Sequence, residues 1–292
     1  MNRNNTRSIL LLLKQFGFTD KTLKTIYSQE ESILEVIYDR KHPFHNKYLN
    51  IYTEKEKEIA QNYGGLKDFS IGFIEKMRDY KVNGIKILYS FDEDYPSYLF
   101  EKKNEPLFLY CYGNVELLSQ TKKKVAIIGT RNPTTNGIEA TKDYVKNYVL
   151  RDWVTVSGLA KGIDTEVHSE TIKNKGNTIA VIPTSFEKIY PKENEVLFNN
   201  IIKNNGLVIS TYGPFENTYK ANFLHRNSIV AKMSDEIFVI EASIKSGTLN
   251  TARQGYEFGK KVVFDSKLLS KEVIDFIGRF NAVDFKSERR GE

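Results

Sequence analysis

Residues 124–131 read Lys-Val-Ala-Ile-Ile-Gly-Thr-Arg, a short apolar run that ends in a glycine-bearing polar turn. Runs of similar length follow at Val154–Val156, Thr178–Ile182, Leu207–Ser210, Ile237–Ile240 and Lys261–Phe264. Each run is apolar at both alternating positions, as a strand covered on both faces must be. Helix-length segments separate them, near 135–150, 162–175, 192–204, 223–233 and 248–259. This alternation predicts an α/β fold, an extended Rossmann-like and doubly wound sheet that is mostly parallel.

The residues before this alternation have a different pattern, which predicts a small helical N-terminal domain. Thr19 suits the N-cap of one helix, and further helices are expected near 53–63 and 68–80. The sequence therefore predicts a helical domain over residues 1–82, an extended Rossmann-like domain over residues 83–268, and a short C-terminal tail over residues 269–292. We expect no C-terminal winged helix, because this tail is too short for one.

Composition and charge narrow the classes of function. The 292 residues carry 43 Lys and Arg against 37 Asp and Glu, a net charge of +6, and residues 121–292 hold the whole surplus. A basic surplus confined to one part of the chain favours an anionic partner there. The single cysteine, Cys111, excludes an intrachain disulfide and a multi-cysteine zinc site. The aliphatic run Ile9–Leu13 is too short for a membrane span, so we expect a cytoplasmic protein without membrane insertion.

Three glycine-bearing polar loops follow strands of the predicted sheet. Ligands of open α/β sheets bind beyond the carboxyl ends of the strands, where small residues let the backbone approach a phosphate. We expect the loops to meet at one edge of the sheet, with few carboxylates nearby. Their candidate anion-binding residues are Gly129, Thr130, Arg131, Ser157, Gly158, Lys161, Gly162, Lys245, Ser246, Gly247 and Thr248.

Several nucleotide and catalytic motifs are missing from these loops. There is no G-x-G-x-x-G, and no acidic residue ends the second strand of the sheet, so a nicotinamide dinucleotide site is disfavoured. Asp164 and His168 are spaced four apart on one helix, where a local ion pair or hydrogen bond is favoured over a metal site. We therefore expect no catalytic residue, no metal and no cofactor.

Five ordered blocks resemble the DNA-processing protein A family, also called Smf. These are Val125–Arg131, Ser157-Gly-Leu-Ala-Lys-Gly-Ile-Asp164 with His168, Thr178–Val181 with Ile189–Asn194, Phe223–Ala231, and Glu241–Ala252. The resemblance covers about residues 85–265. Where the family usually has Gly-Thr-Gly, this chain has Pro183-Thr-Ser185, which changes the shape of one loop.

The resemblance implies a homodimer that binds single-stranded DNA and helps to load the RecA recombinase during natural transformation. Arg131 and Lys161 match basic positions that contact DNA in the family, and Arg226–Asn227 match its Arg-Asn block. The loop-proximal aromatic residues Phe186, Phe223 and Tyr212 suit base stacking, although core packing is the favoured role for each.

Two other readings of the same loops stay open. Related Rossmann-like phosphoribohydrolases carry a Gly-Gly-x-Gly-Thr-x-x-Glu loop, but here the carboxylate position is Thr251, so the general acid–base is missing. The other reading is a sensor whose anion pocket holds a signalling nucleotide. We favour a non-catalytic DNA-binding protein over both.

Overall fold

The computed structural model describes residues 3–28, 32–42 and 45–285. The chain divides into two compact units. The first comprises residues 1–95, 106–110 and 212–217, and the second comprises residues 96–105, 111–211 and 218–292. No helix among the described residues has the length and hydropathy needed to cross a membrane.

The first unit contains the helical N-terminal region that the sequence predicts. Its described elements are α1 (Arg3–Phe16), α2 (Asp20–Tyr27), α3 (Ile33–Tyr38), α4 (His45–Leu49), α5 (Glu54–Ala60), α6 (Tyr63–Val82) and strand β1 (Ile85–Tyr89). The Thr19 side chain caps α2 as expected, by accepting a hydrogen bond from the Thr22 N–H. Thr53 and Glu56 form a capping box at the start of α5.

The boundary between the compact units differs from the predicted division at residue 82. Strand β1 packs on α6, and the Tyr95 hydroxyl donates a 2.7 Å hydrogen bond to the carbonyl of Pro106. Residues 83–95 and 106–110 therefore join the helices in the first unit. Strand β2 (Phe108–Gly113) then leads the chain into the second unit.

The second unit confirms the predicted α/β fold. Its strands are β3 (Lys124–Ile128), β4 (Val154–Ser157), β5 (Thr178–Val181), β6 (Leu207–Ser210), β7 (Glu236–Val239), β8 (Lys261–Phe264) and β9 (Val283–Asp284). They pair in parallel in the order β6-β5-β4-β3-β7-β8-β9. The helices are α7 (Thr135–Leu150), α8 (Ile163–Lys173), α9 (Glu195–Lys203), α10 (Lys220–Met233), α11 (Gly247–Glu257) and α12 (Lys271–Gly278).

Residues of the predicted C-terminal tail belong to this second unit. Strand β9 pairs with β8 through Val263 opposite Val283, and Val273 and Ile277 of α12 are buried. The end of the described chain is thus packed onto the sheet.

Helices cover both faces of the sheet, which is why its strands carry apolar residues on both faces rather than on one. On one face Val125 and Phe238 pack with Tyr144 and Tyr148 of α7. On the other face Ile237 of β7 lies against α11, close to Gly255. The strand order reverses between β3 and β7, and ligands of doubly wound sheets bind at such a reversal.

Candidate nucleic-acid interface

A cavity of about 210 Å³ opens where the strand order reverses. Its wall comes from the end of β3, the start of α8, the middle of α10 and the start of α11. We call it the cationic cavity, and its polar lining residues are Gly129, Thr130, Arg131, Asp164, Arg226, Asn227, Ser246, Gly247, Thr248 and Thr251. Eight of the thirteen predicted DNA-binding residues therefore meet around one space, although they come from three separate parts of the chain.

The N-terminus of α7, which follows the first loop, already holds a carboxylate. Glu241 accepts hydrogen bonds from the Thr134 N–H at 2.9 Å and from the Thr134 hydroxyl at 2.5 Å. The Thr134 side chain in turn caps Gly137. An external anion would have to displace Glu241, so this helix end contributes less to the cavity than the sequence suggested.

The N-terminus of α11 is the helix end that faces the cavity. The Ser246 side chain caps the Leu249 N–H, and Thr248 donates a 2.9 Å hydrogen bond to the carbonyl of Gly129, which joins two of the loops. The first N–H groups of a helix have no intrahelical acceptor and attract anions. Gly247 has open space beside it, since a Cβ there would find Asn227 Nδ2 at 3.6 Å as its nearest neighbour.

Arg226 forms a buried cationic wall of the cavity. Only 7% of the residue is exposed, and its Nη1 lies 3.6 Å from Asp164 Oδ2. Burial lowers the pKa of the Arg226 guanidinium, the neighbouring Asp164 raises it, and the nearby charge of Arg131 lowers it further. Its Nε atom is buried without a hydrogen-bond partner among the described residues. A buried donor of this kind favours an acceptor supplied by a ligand.

The loop after β4 lines the cavity through Ala160, while its glycines support the wall from behind. Asp164 Oδ2 accepts hydrogen bonds from the N–H groups of Gly158 and Ala160, at 3.1 and 3.2 Å. A Cβ on Gly158 would overlap the Arg226 guanidinium, so the glycine makes room for that side chain. Gly162 adopts a positive φ of 79° and packs on the backbone of Thr130, where a Cβ would collide.

Three other predicted residues also lie outside the cavity lining. Ser157 is fully buried, and its hydroxyl donates to the carbonyl of Ile127. Lys161 and Lys245 are both exposed, and Lys161 Nζ lies 2.7 Å from Glu193 Oε1. The hydrogen bond from Lys161 lowers the pKa of the Glu193 carboxyl.

The expectation of few carboxylates at this edge was wrong. Asp164, Glu193 and Glu241 all lie there, and each is bound to a residue of the same edge. Their partners lie far away in the sequence, so composition of the loops alone did not reveal them. Arg131 is exposed, and no described residue forms an ion pair with it, so it is the freest cation of the cavity.

A larger groove of about 790 Å³ shares Arg131, Arg226, Asn227 and Gly247 with the cationic cavity. We call it the aromatic groove, because its other lining residues are mainly apolar or basic. They are Thr184, Lys188, Ile189, Tyr190, Thr218, Tyr219, Lys220, Phe223 and Leu224. Sequence reasoning missed most of them. Their signal was the adjacency of basic and aromatic residues in the segments 188–190 and 219–220.

Exposure of the rings distinguishes the groove from the core. Tyr190 and Tyr219 are 52% and 62% exposed, and Tyr190 meets Phe223 edge to face with ring centroids 5.6 Å apart. Thr184 is buried, and its hydroxyl has no hydrogen-bond partner among the described residues. Phe186 instead packs against the core ring of Phe198.

His168 has a structural environment rather than a ligand-binding one. It is fully buried, and its Nδ1 lies 2.7 Å from the Thr178 hydroxyl. Burial lowers its pKa to about 3, and the charge of Arg226 adds to this effect. The described residues contain no cluster of three His, Cys, Asp or Glu side chains able to hold a metal ion.

Fold and site together define a doubly wound α/β protein with a cationic pocket at its strand-order reversal. Residues 86–274 match the family model for DNA recombination-mediator protein A. The chain belongs to this family.

Relatives and solved structures agree with that assignment. The chain is 37% identical to DNA processing protein DprA of Bacillus subtilis, over 73% of this chain and 71% of the relative. It is 39% identical to the Streptococcus pneumoniae protein, over 59% of each chain, so it spans less than two thirds of that relative. The crystal structure of the pneumococcal protein superposes with a TM-score of 0.65 and 28% identity, over 95% of this chain and 93% of that one.

A second solved structure concerns DNA directly. It is DNA processing protein A of Helicobacter pylori, described as having a unique single-stranded DNA binding mode. It matches with a TM-score of 0.59 and 29% identity, over 68% of this chain and 90% of that one.

Proposed function

We propose that this protein binds single-stranded DNA without reading its sequence and acts as a recombination mediator. It protects incoming DNA and loads RecA during natural transformation. The observation that carries the DNA-binding step is the continuity of the cationic cavity with the aromatic groove through Arg131, Arg226, Asn227 and Gly247. A single strand offers both phosphates and unstacked bases, and these two surfaces suit the two chemistries.

The phosphates bind at the cationic cavity. The exposed guanidinium of Arg131 and the first N–H groups of α11 at Gly247 and Thr248 contact the phosphate oxygens. Arg226 adds a fixed positive charge, and its free Nε supplies a donor. Lys161 and Lys245 contact neighbouring phosphates from outside the cavity.

The bases bind in the aromatic groove. The exposed rings of Tyr190 and Tyr219 and the partly exposed ring of Phe223 offer faces that accept any base. Lys188 and Lys220 flank the groove and keep the backbone close to it. Thr184 supplies a buried hydroxyl for the polar edge of a base.

The test is a titration of fluorescein-labelled oligo-dT at several salt concentrations, beside a duplex of the same length. Arg131→Ala removes one phosphate contact, which lowers the magnitude of the salt slope by about 0.7 for a single strand. Arg253→Ala is the matched control, because Arg253 is exposed but lies outside the cavity and the groove. Unchanged affinity and slope in Arg131→Ala, or equally tight binding of the duplex, would contradict the proposal.

We further propose that the site is not catalytic. Thr251 occupies the position of the hydrolase carboxylate, and its hydroxyl donates to the carbonyl of Gly247. Asp164 and Glu241, the acidic residues closest to the loops, are held by Arg226 and Thr134. Release of free adenine from AMP would overturn this part of the proposal. Displacement of oligo-dT by low concentrations of a mononucleotide would favour the sensor instead.

The RecA partner and the homodimer are proposals that rest on the family. Sedimentation at micromolar concentration tests the second, with a dimer as the expected species and a monomer as the contradicting one.

A further inference from the structure

The first unit contains an apolar groove that takes no part in the proposed DNA site. It has a volume of about 630 Å³ and lies between α1, α6 and β1. Leu11, Phe73, Ile74 and Met77 form its helical side, while Ile85, Ile87 and Tyr89 line it from the strand.

Part of this apolar surface is open to solvent. Ile74 is 54% exposed, and Ile71, one turn earlier on the same face of α6, is 65% exposed. Large apolar side chains exposed beside a groove are typical of interaction sites. The groove therefore has both a cavity and an apolar border for a partner.

The charges around the groove all have one sign among its described lining residues. Lys81 at the end of α6 and Lys86 in β1 are exposed, and no carboxylate lines the groove with them. Neither lysine forms an ion pair with a described residue. This charge pattern complements an acidic partner and repels a basic one.

The outer edge of strand β1 is partly open beside the groove: the Tyr89 carbonyl accepts a hydrogen bond from the Asp92 N–H, whereas the Ile87 and Tyr89 N–H groups have no acceptor among the described backbone groups. Strand β1 is the terminal strand of its sheet. The Ser90 N–H, just after β1, donates to the carbonyl of Leu107 next to β2. Alternate residues of a strand face the same neighbour, so the N–H groups of Ile87 and Tyr89 point to the open side. An extended segment can add to such an edge and gain main-chain hydrogen bonds.

These observations discriminate between possible occupants. Pairing of β1 with β1 of a second copy would bring the two Lys86 side chains together, and lysine on an edge strand disfavours such pairing. An added acidic strand is favoured instead, because its apolar side chains enter the groove beside Ile85 and Ile87 while its carboxylates lie on the opposite face beside Lys86.

We propose that the first unit docks an extended acidic segment of a partner protein, which adds to the edge of β1. The segment alternates apolar residues with Asp or Glu. This interaction is independent of the DNA site, because all of the groove's residues belong to the first unit.

The experiment uses the full chain and a fluorescein-labelled nine-residue peptide that alternates valine with glutamate. The control peptide has the same length and label, with lysine in place of glutamate. Fluorescence anisotropy should detect binding of the glutamate peptide and much weaker binding of the lysine peptide. Hydrogen exchange should report new protection of the Ile87 and Tyr89 amides when the glutamate peptide is present.

Variants then test the groove itself. Ile74→Glu and Lys86→Glu should each lower the affinity for the glutamate peptide about tenfold, a loss typical of an important interface contact. Val82→Glu is the matched control for Ile74→Glu, because Val82 is 80% exposed on α6 but does not line the groove. Thermal unfolding and oligo-dT binding of all three variants should equal those of the parent chain.

Several results would overturn the proposal. They are equal binding of the two peptides, absence of protection in β1, and equal loss of binding in Val82→Glu. A shift from dimer to monomer in Ile74→Glu would assign the groove to self-association instead.

Discussion

We expect the substitution Gly158→Ala, in the loop after β4, to lower the free energy of unfolding more than a single methyl group normally does. The backbone of Gly158 does not lie in the left-handed region, so alanine is compatible with its conformation. The obstacle is space, since a Cβ would overlap the Arg226 guanidinium and lie 2.9 Å from Asp164 Oδ2. Gly158→Ala must therefore expel a buried arginine from its place.

The size of the effect follows from what the expelled side chain leaves behind. Asp164 is 7% exposed, and without Arg226 it keeps its two backbone N–H donors but loses its counter-charge. Breaking a buried ion pair costs about 3–5 kcal/mol. Alanine recovers about 0.4–1 kcal/mol by restricting the unfolded chain. We expect a net loss of about 3 kcal/mol in the free energy of unfolding.

Urea unfolding followed by the fluorescence of Trp153 measures this loss. Trp153 is the single tryptophan of the sequence and lies in the second unit, with its ring 5.4 Å from that of Tyr148. Gly247→Ala is the matched control, since its Cβ meets no atom closer than 3.6 Å. It should raise the unfolding free energy slightly, by about 0.4–1 kcal/mol, because alanine restricts the unfolded chain there as well.

Binding of oligo-dT tests both variants a second time, and both should lose affinity for different reasons. Gly158→Ala should lower the affinity more than tenfold, because the displaced Arg226 no longer forms the cavity wall. Gly247→Ala should also lower it, through a methyl group placed where a phosphate approaches α11. Parent-like stability and parent-like affinity in Gly158→Ala would refute the role assigned to the Asp164–Arg226 pair.

Two further predictions concern titration and salt. The folded pKa of His168, about 3, lies below its ordinary value of 6.5, so the unfolded chain takes up the proton first as the pH falls. Stability should fall from pH 6.5 downward, by about 2 kcal/mol between pH 7 and pH 5, and urea unfolding of His168→Gln should have a flatter pH profile; an identical profile would contradict this reasoning. Glu193→Gln frees Lys161, so it should raise oligo-dT affinity and steepen the salt slope by about 0.7. The gain should vanish in the double variant with Lys161→Ala, and a gain that persists there would assign the effect to another residue.

The sequence predicted the second unit well because its signals are local. Each strand is a short run rich in apolar residues. Helix starts were less exact, since Thr248 was the expected N-cap of α11, which begins at Gly247 with Ser246 as its cap. The edge where the loops meet follows from the parallel alternation alone. Local pattern was therefore sufficient for the fold, and it indicated the sheet edge at which the cationic cavity lies.

Which side chains form the wall of the site depends on contacts between residues that are far apart in the sequence. Asp164 and Arg226 are 62 positions apart, and the wall that they form is visible only when α8 and α10 are placed together. The same holds for Glu193, which lies 32 positions after Lys161, just before α9, and binds its side chain. Gly158 and Gly162 suggested phosphate contact from the sequence. In the structure, each is a glycine because protein atoms occupy the space that a Cβ would take. Their residue type was informative, but it did not specify what approaches them.

The arrangement of the two cavities favours a polymer over a free nucleotide. The cationic cavity, at about 210 Å³, is small, while the aromatic groove is nearly four times larger and carries the exposed rings. A mononucleotide that places its phosphate in the cavity has one base to offer to this groove. A strand presents successive bases while its backbone stays near Arg131, so the second contact forms at a high effective concentration. Arg226 is already fixed by Asp164, and a fixed cation loses little side-chain entropy when the ligand binds. In the proposed function, the shared wall couples phosphate and base binding, which is what a sequence-tolerant single-strand binder requires.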